Sequence, residues 1–310
     1  MPSASQPDPD GLAQRLHADV SRLPMLPAVL LRLARLDPES AGYFDEVLGL
    51  INADPGFAVR LLNLANSTGG GALRPATSVS MALIRVGARG AVELMLAESA
   101  SRIFPPVARW QRHLWTHAVL AAGYMRRLAP MVIDGRIDPN EAYLCGLLHD
   151  IGRFVMFAEM PDAFEAVELA EWDSPQTLVD AERALFGCTH AELGYLALQQ
   201  WGLPQTLAEL ARDHHAPEAP GDGAQVRLLR DVDWIALRVA RDGADWLQQS
   251  AETFEAESAP RMHVAYRGDV AHRLATLRTA SAEAQALMRV FGMAGGLKPA
   301  PLQPARGTRP

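Results

Sequence analysis

Apolar residues along this chain recur at intervals of three and four, and there is no sustained alternation at intervals of two. A strand buried on one face needs alternation, whereas a helix needs a stripe that repeats every 3.6 residues. The spacing therefore predicts an all-α fold. Proline and glycine set the expected breaks. Asp37-Pro38 ends a helix over Ala28–Leu36, because a proline pushes its predecessor out of helical backbone. Asp54-Pro55 stops a helix over Tyr43–Ala53 and starts another that ends near Asn66-Ser67. Ser78 or Ser80 opens a helix through Val86, Gly87 closes it, and Ala88–Ser101 follows. A further short helix is expected over Leu12–Val20, and Gly69–Gly71 reads as a loop.

Phe104-Pro105-Pro106 is the best candidate boundary. Longer helices are expected beyond it: Trp110–Ala129, Asn140–Leu148, Phe154–Phe157, Ala163–Trp172, Gln176–Phe186, Ala191–Trp201, Gln205–His214, Arg227–Arg241 and Gly268–Phe291. At about 150 residues per domain, 310 residues suit two lobes. The division predicted is an N-terminal extension (1–20), a lobe of short helices (21–104), a helical bundle (105–245), a C-terminal helical extension (246–291) and a disordered tail (292–310).

The net charge of −7 argues against a dedicated DNA-binding protein, since such binding works by neutralising phosphates. Arg85 and Arg89 flank a helix–Gly–helix stretch, but two arginines are a thin footprint for DNA. No apolar run reaches the roughly 18 residues of a membrane span, and Met1–Asp10 lacks the pattern of a signal peptide. A cytoplasmic location is expected. Cys145 and Cys188 lie among apolar residues and read as buried free thiols, with a single disulfide as the alternative.

The most informative local motif is Gly146-Leu147-Leu148-His149-Asp150-Ile151-Gly152. Imidazole nitrogen and carboxylate oxygen together suit a divalent ion that takes mixed ligands, such as Fe, Mn or Zn. Adjacent helical residues point about 100° apart, so both reach one ion only beyond a helix end, and Gly152 reads as that end. A buried histidine beside a capping aspartate is the alternative. His117, His190, the pair His214-His215, and Asp233 or Asp231 add histidine and aspartate from other segments. Six of the nine histidines lie between His113 and His215. His113 shares a helix face with His117 and is expected to be exposed.

The order histidine, His-Asp, further histidines, closing aspartate resembles the HD-domain superfamily of metal-dependent phosphohydrolases. That resemblance implies that His117, His149, Asp150 and Asp233 bind a first metal. It implies second-metal positions at His190 and at one or both of His214 and His215, and metal-assisted hydrolysis as the chemistry. Arg153 would pair with a substrate phosphate, or else is a surface arginine near a helix end.

From about Leu23 to Ala240 the chain resembles, more closely, the HDOD domain, a bacterial signalling relative of those hydrolases. The first-lobe signs are Leu23–Pro27, Ile51–Pro55, Leu61–Ser67, Ser78–Ala82 and Val86-Gly87. Those of the second are Trp115–His117, Gly146–Gly152, His190–Gly194, Trp201–Pro204 and His214-His215. The resemblance implies a short-helix N-terminal lobe packed on an HD-like helical bundle. It also implies a regulatory, signal-transduction module acting through a signalling protein partner, with a nucleotide as a further ligand. Two departures bear on this. Nearly the full ligand set is kept, which reopens hydrolysis of a nucleotide or cyclic dinucleotide. His214-His215 is followed by Ala216-Pro217, without the Gly-Tyr-Pro signature of the cyclic-di-GMP phosphodiesterase branch.

Overall fold

The computed structural model describes residues 14, 18, 32, 33, 36–67, 75–169 and 174–291. The expected helix over Leu12–Val20, the Leu23–Pro27 entry, most of Ala28–Leu36, the Gly69–Gly71 loop, the end of the Ala163–Trp172 helix and the tail from Gly292 lie outside them. Among the described residues the chain is all-α. The sole extended pairing there is one antiparallel bridge between Val132 and Tyr266.

The N-terminal helices are α1 (Tyr43–Asn52), α2 (Pro55–Ser67), α3 (Val79–Val86) and α4 (Ala88–Ser101). Pro55 does take the first position of α2, and the Asp54 carboxylate accepts the Gly56 amide at 2.8 Å. Ser78 rather than Ser80 caps α3, through the Met81 amide at 3.2 Å. Gly87, at φ +82°, turns the chain between α3 and α4, a conformation that costs glycine little. Arg102 bonds Asp54 at 2.9 Å and so ties the end of α4 to the start of α2.

The bundle is α5 (Arg109–Leu128), α6 (Pro139–Leu148), α7 (Ile151–Glu159), α8 (Pro161–Leu169), α9 (Pro175–Phe186), α10 (His190–Gln200), α11 (Gln205–Asp213) and α12 (Ala224–Asp242). Two further helices follow, α13 (Ala251–Ser258) and α14 (Val270–Val290); both lie in the expected helical extension, where the sequence marks only the second as a separate helix. The long α5 lies at the centre, flanked by α6, α12 and α14. One contiguous apolar core runs from Leu33 to Met288. Trp115 on α5 donates its indole N–H to the Phe104 carbonyl at 2.8 Å, pinning the Phe104–Pro106 segment to the bundle.

α14 packs on both α5 and α2. The Tyr124 hydroxyl meets Ser281 Oγ at 2.5 Å, and Arg60 on α2 donates to the Val290 carbonyl at 2.9 Å. The C-terminal helix thereby joins the N-terminal helices to the bundle. Both cysteines are buried free thiols. His113 is half-buried against Trp110 rather than exposed, and burial pulls its pKa down to about 4. No described helix is long and apolar enough to cross a membrane.

Candidate metal centre

Two glycines of the Gly146–Gly152 motif set the spacing of the helices that carry the histidines. A Cβ on Gly146 would lie 2.7 Å from the Ala121 carbonyl, so its absence lets α6 close on α5. A Cβ on Gly152 would lie 1.9 Å from the His190 carbonyl, so its absence lets α7 close on α10. Gly152 is therefore not the helix end expected of it. The chain breaks earlier: His149 ends α6, and Asp150, at φ −96° and ψ 16°, precedes α7. The doublet thus lies at the helix junction, where neighbouring side chains can converge.

His117 comes from mid-α5, His190 opens α10, His214 closes α11 and Asp233 comes from α12. These side chains meet in two groups of four that share one carboxylate. His117, His149, Asp150 and Asp233 form one; Asp150, His190, His214 and His215 form the other. Every metal-ligand position suggested by the sequence is brought together, including both His214 and His215. Asp233 faces the cluster. Asp231, the alternative, faces away and accepts the Tyr266 hydroxyl at 2.7 Å and the His263 amide at 2.6 Å.

The nitrogens point inward because their far sides are held. A carbonyl only accepts, so His149 Nδ1 donates to Gly146 at 2.9 Å and His214 Nδ1 donates to Ala211 at 2.7 Å. His190 Nδ1 is 2.7 Å from the buried Glu182 carboxylate. In each neutral ring Nε2 is then left with its lone pair facing the centre. His117 Nε2 lies 3.2 Å from His149 Nε2, and His190 Nε2 lies 3.4 Å from His214 Nε2. Lone pairs that close repel unless a proton or a metal ion lies between them. Asp150 Oδ1 has His190 Nε2 at 3.2 Å and His214 Nε2 at 3.4 Å, yet it is buried without a hydrogen bond. This is the donor set of a mixed N/O site for Fe, Mn or Zn, and the residues fit such ions.

Electrostatics agree. Burial alone would strip the proton from His190, but Glu182 and Asp150 outweigh it and push the pKa up to about 10. Burial opposes charge on His149 too, and Asp150 and Asp233 again prevail, so its pKa is raised. Burial and neighbouring imidazoles keep His214 and His215 below the usual histidine range. In the metal-free protein His190 would carry a proton where a cation would lie. The raised pKa gives a sign. In the metal-free protein, the stability contributed by His190 is complete below 6.5 and is lost as pH rises through about 10. A metal must displace that proton. Metal affinity is expected to climb about tenfold per pH unit for each proton displaced between roughly pH 6 and 9. Calorimetry in buffers of different ionisation enthalpy reads the released proton; binding without release at neutral pH would contradict the assignment.

Glu182 escaped the sequence analysis. Its signal was a carboxylate on the inward stripe of α9, between Leu178 and Phe186. It also accepts the His190 amide at 3.0 Å. Carboxylates in this position orient a ligating histidine and raise its basicity. Glu182→Gln is expected to weaken metal binding by about 10- to 100-fold with the fold intact, measured by competition with a chelating dye. Unchanged affinity would remove Glu182 from the site. Arg230 holds the other flank: it donates to the carbonyls of Asp213, His214 and Ala216 at 3.0–3.2 Å, fixing the turn that presents the histidine pair.

Arg153 is placed otherwise than expected. It is buried, ion-paired with Glu168 and 3.6 Å from Asp150, with Phe164 beneath its guanidinium. It is neither a surface arginine nor poised toward a phosphate, and burial with two carboxylates leaves it an internal brace. The cluster opens elsewhere. His214, His215 and Asp233 form one wall of a cleft of about 670 Å³, which Arg238, Arg241 and Arg261 also line.

The HDOD domain profile matches residues 23–217 of the chain. The chain belongs to the HDOD domain family. The match stops before α12, which carries Asp233. A protein of Treponema pallidum (strain Nichols) is 29% identical over 212 residues. That alignment covers 67% of this chain and 41% of the relative, so this HDOD protein spans about two-fifths of the length of the curated relative it matches. An HDOD domain protein of unknown function from Geobacter sulfurreducens, solved by crystallography, is 28% identical with a TM-score of 0.58, covering 73% of this chain and 76% of that one. A crystallised candidate phosphohydrolase of Shewanella amazonensis SB2B shares the fold at 21% identity and a TM-score of 0.63, covering 90% and 98%.

Proposed function

We propose that this HDOD protein is a metal-dependent phosphohydrolase of the cytoplasm, acting on a nucleotide or cyclic dinucleotide. The observation that carries the reading is the pair of four-ligand groups sharing Asp150, with His215 and Asp233 at the edge of an open cleft. His117, His149, Asp150 and Asp233 would hold one divalent ion, and Asp150, His190, His214 and His215 a second. Such ions neutralise phosphoryl oxygens and activate water at neutral pH. The chain's own residues do the rest. Glu182 and the Gly146 and Ala211 carbonyls hold three imidazoles with Nε2 inward. Arg230 fixes the His214-His215 turn; of the cleft arginines, Arg238 and Arg241 pair with Asp242, which leaves Arg261 to meet a phosphate ester.

One observation favours a second reading, a regulatory module that works through a signalling protein partner. Arg153, the cation beside the His-Asp doublet, is consumed by Glu168 and Asp150 rather than turned to a ligand. Metal-reconstituted wild type and Asp150→Asn, assayed on a chromogenic phosphodiester and on cyclic dinucleotides, separate the two. Turnover in the wild type that Asp150→Asn abolishes supports hydrolysis. Metal-bound wild type without turnover on any of them transfers the case to the regulatory reading.

A further inference from the structure

A second set of basic groups lines a cavity that shares no residue with the cleft beside the metal centre. Where α2–α4, α5 and α14 meet lies a cavity of about 460 Å³. Four arginines line it, Arg85, Arg89, Arg126 and Arg127, against two acids, Glu93 and Glu283. That is an excess of positive charge within a chain of net charge −7. Arg126 pairs with Glu93 and Glu283, and Arg127 pairs with Glu283. Arg89 is exposed and has no ion-pair partner among the described residues. A neighbouring cavity of about 330 Å³ shares Arg89, Arg126 and Arg127.

Two further features belong to the same cavity. The 14-residue α4 begins there at Gly87, and no side chain caps it. The first amides of any helix lack intrahelical acceptors, and here Gly87, beside which a Cβ would meet nothing within 4 Å, and Gly90 line the cavity at that end. Independently, Tyr143 on α6 lines the cavity, is 3% exposed, and its hydroxyl has no hydrogen-bond partner. Buried hydroxyls are almost always bonded, so an orphan at a cavity wall marks the place of a missing acceptor. Leu64, Val86 and Leu287 supply an apolar wall beside the charges, as a base-bearing ligand requires.

The geometry points to a binding site for a phosphorylated nucleotide, with its phosphates among Arg89, Arg126, Arg127 and the α4 N-terminus and with Tyr143 donating to it. The site is separate from the metal centre. Arg126 and His117 share α5 but are nine residues apart, about 14 Å along the axis. A ligand here touches the N-terminal helices, the bundle and α14 at once, and so is placed to regulate how they pack. The inference stands whether or not the metal centre hydrolyses anything.

Calorimetric titration of the full chain with guanosine diphosphate, guanosine and inorganic phosphate tests it. Wild type should bind the diphosphate and not guanosine. The double variant Arg89→Ala/Arg127→Ala should lose at least tenfold in affinity. Tyr143→Phe should also lose about tenfold while melting at the wild-type temperature, since its hydroxyl bonds nothing in the unliganded protein. Asp150→Asn, which removes any binding that depends on the metal centre, should keep the binding event that the arginine variant loses. Binding that survives the arginine variant and disappears in Asp150→Asn would place the phosphates at the metal centre and overturn the proposal, as would no binding by wild type at millimolar ligand. Inorganic phosphate that binds as tightly as the diphosphate would overturn the nucleotide assignment.

Discussion

Gly152→Ala is expected to destroy the packing that assembles the cluster. The added Cβ would sit 1.9 Å from the His190 carbonyl and 2.8 Å from the Gly194 amide nitrogen, both backbone atoms with no rotamer to escape through. α7 and α10 would have to part, and His190 would leave Asp150. Overpacking a core usually costs about 1–3 kcal/mol, and a contact between two backbones belongs at or above the top of that range. Against a total stability of roughly 5–15 kcal/mol, a loss of ~3 kcal/mol should lower the melting temperature by about 10 °C. Gly221→Ala, where a Cβ meets nothing within 4 Å, is the control. A Gly152→Ala protein that melts with the wild type and retains its metal would refute the packing argument.

Asp150→Asn is expected to have the second large effect, because one carboxylate serves both groups. Asp150 is the main charge that opposes burial at His149, and at His190 it adds to Glu182, so its loss leaves burial less opposed at both rings. Removing one partner of a buried ion pair typically costs about 3–5 kcal/mol. The buried histidines oppose protonation of Asp150 more strongly than burial favours it, so its pKa lies well below the carboxylate range. A depressed carboxylate stabilises the fold above its ordinary pKa and ceases to as pH falls through its folded value. The stability gap between wild type and Asp150→Asn should therefore be full at neutral pH and shrink only in strong acid. Urea denaturation of metal-free proteins at several pH values measures it, and a gap that does not depend on pH would contradict the electrostatic account.

Much of the fold was legible because helix ends are written in local chemistry. Asp54-Pro55, Gly87 and Trp201-Gly202-Leu203-Pro204 lie where the chain breaks: Pro55 opens α2, Gly87 separates α3 from α4, and Gly202, at φ +68°, separates α10 from α11. α13 was not marked as a separate helix because its apolar stripe is short; Phe254 is its one fully buried large side chain. The site histidines were legible as a set because their order resembles a known family. Which aspartate turns inward was not, since Asp231 and Asp233 are two positions apart on either side of Val232 and both are buried. The choice depends on Tyr266 and His263, which approach Asp231 from more than thirty positions along the chain. Arg153 misled for the same reason. Its partner Glu168 lies fifteen residues away on α8, and a helix end in sequence says nothing of what is packed over it.

The account rests on the claim that seven side chains form a metal centre organised by Asp150. Elemental analysis of the 310-residue protein purified without chelators, as wild type, His149→Ala and Asp150→Ala, tests this most directly. Wild type is predicted to carry up to two equivalents of Fe, Mn or Zn per chain, His149→Ala to lose at least one, and Asp150→Ala to lose both while Arg89→Ala loses none. Folded wild type that carries no metal and takes none up when supplied with all three ions would contradict it.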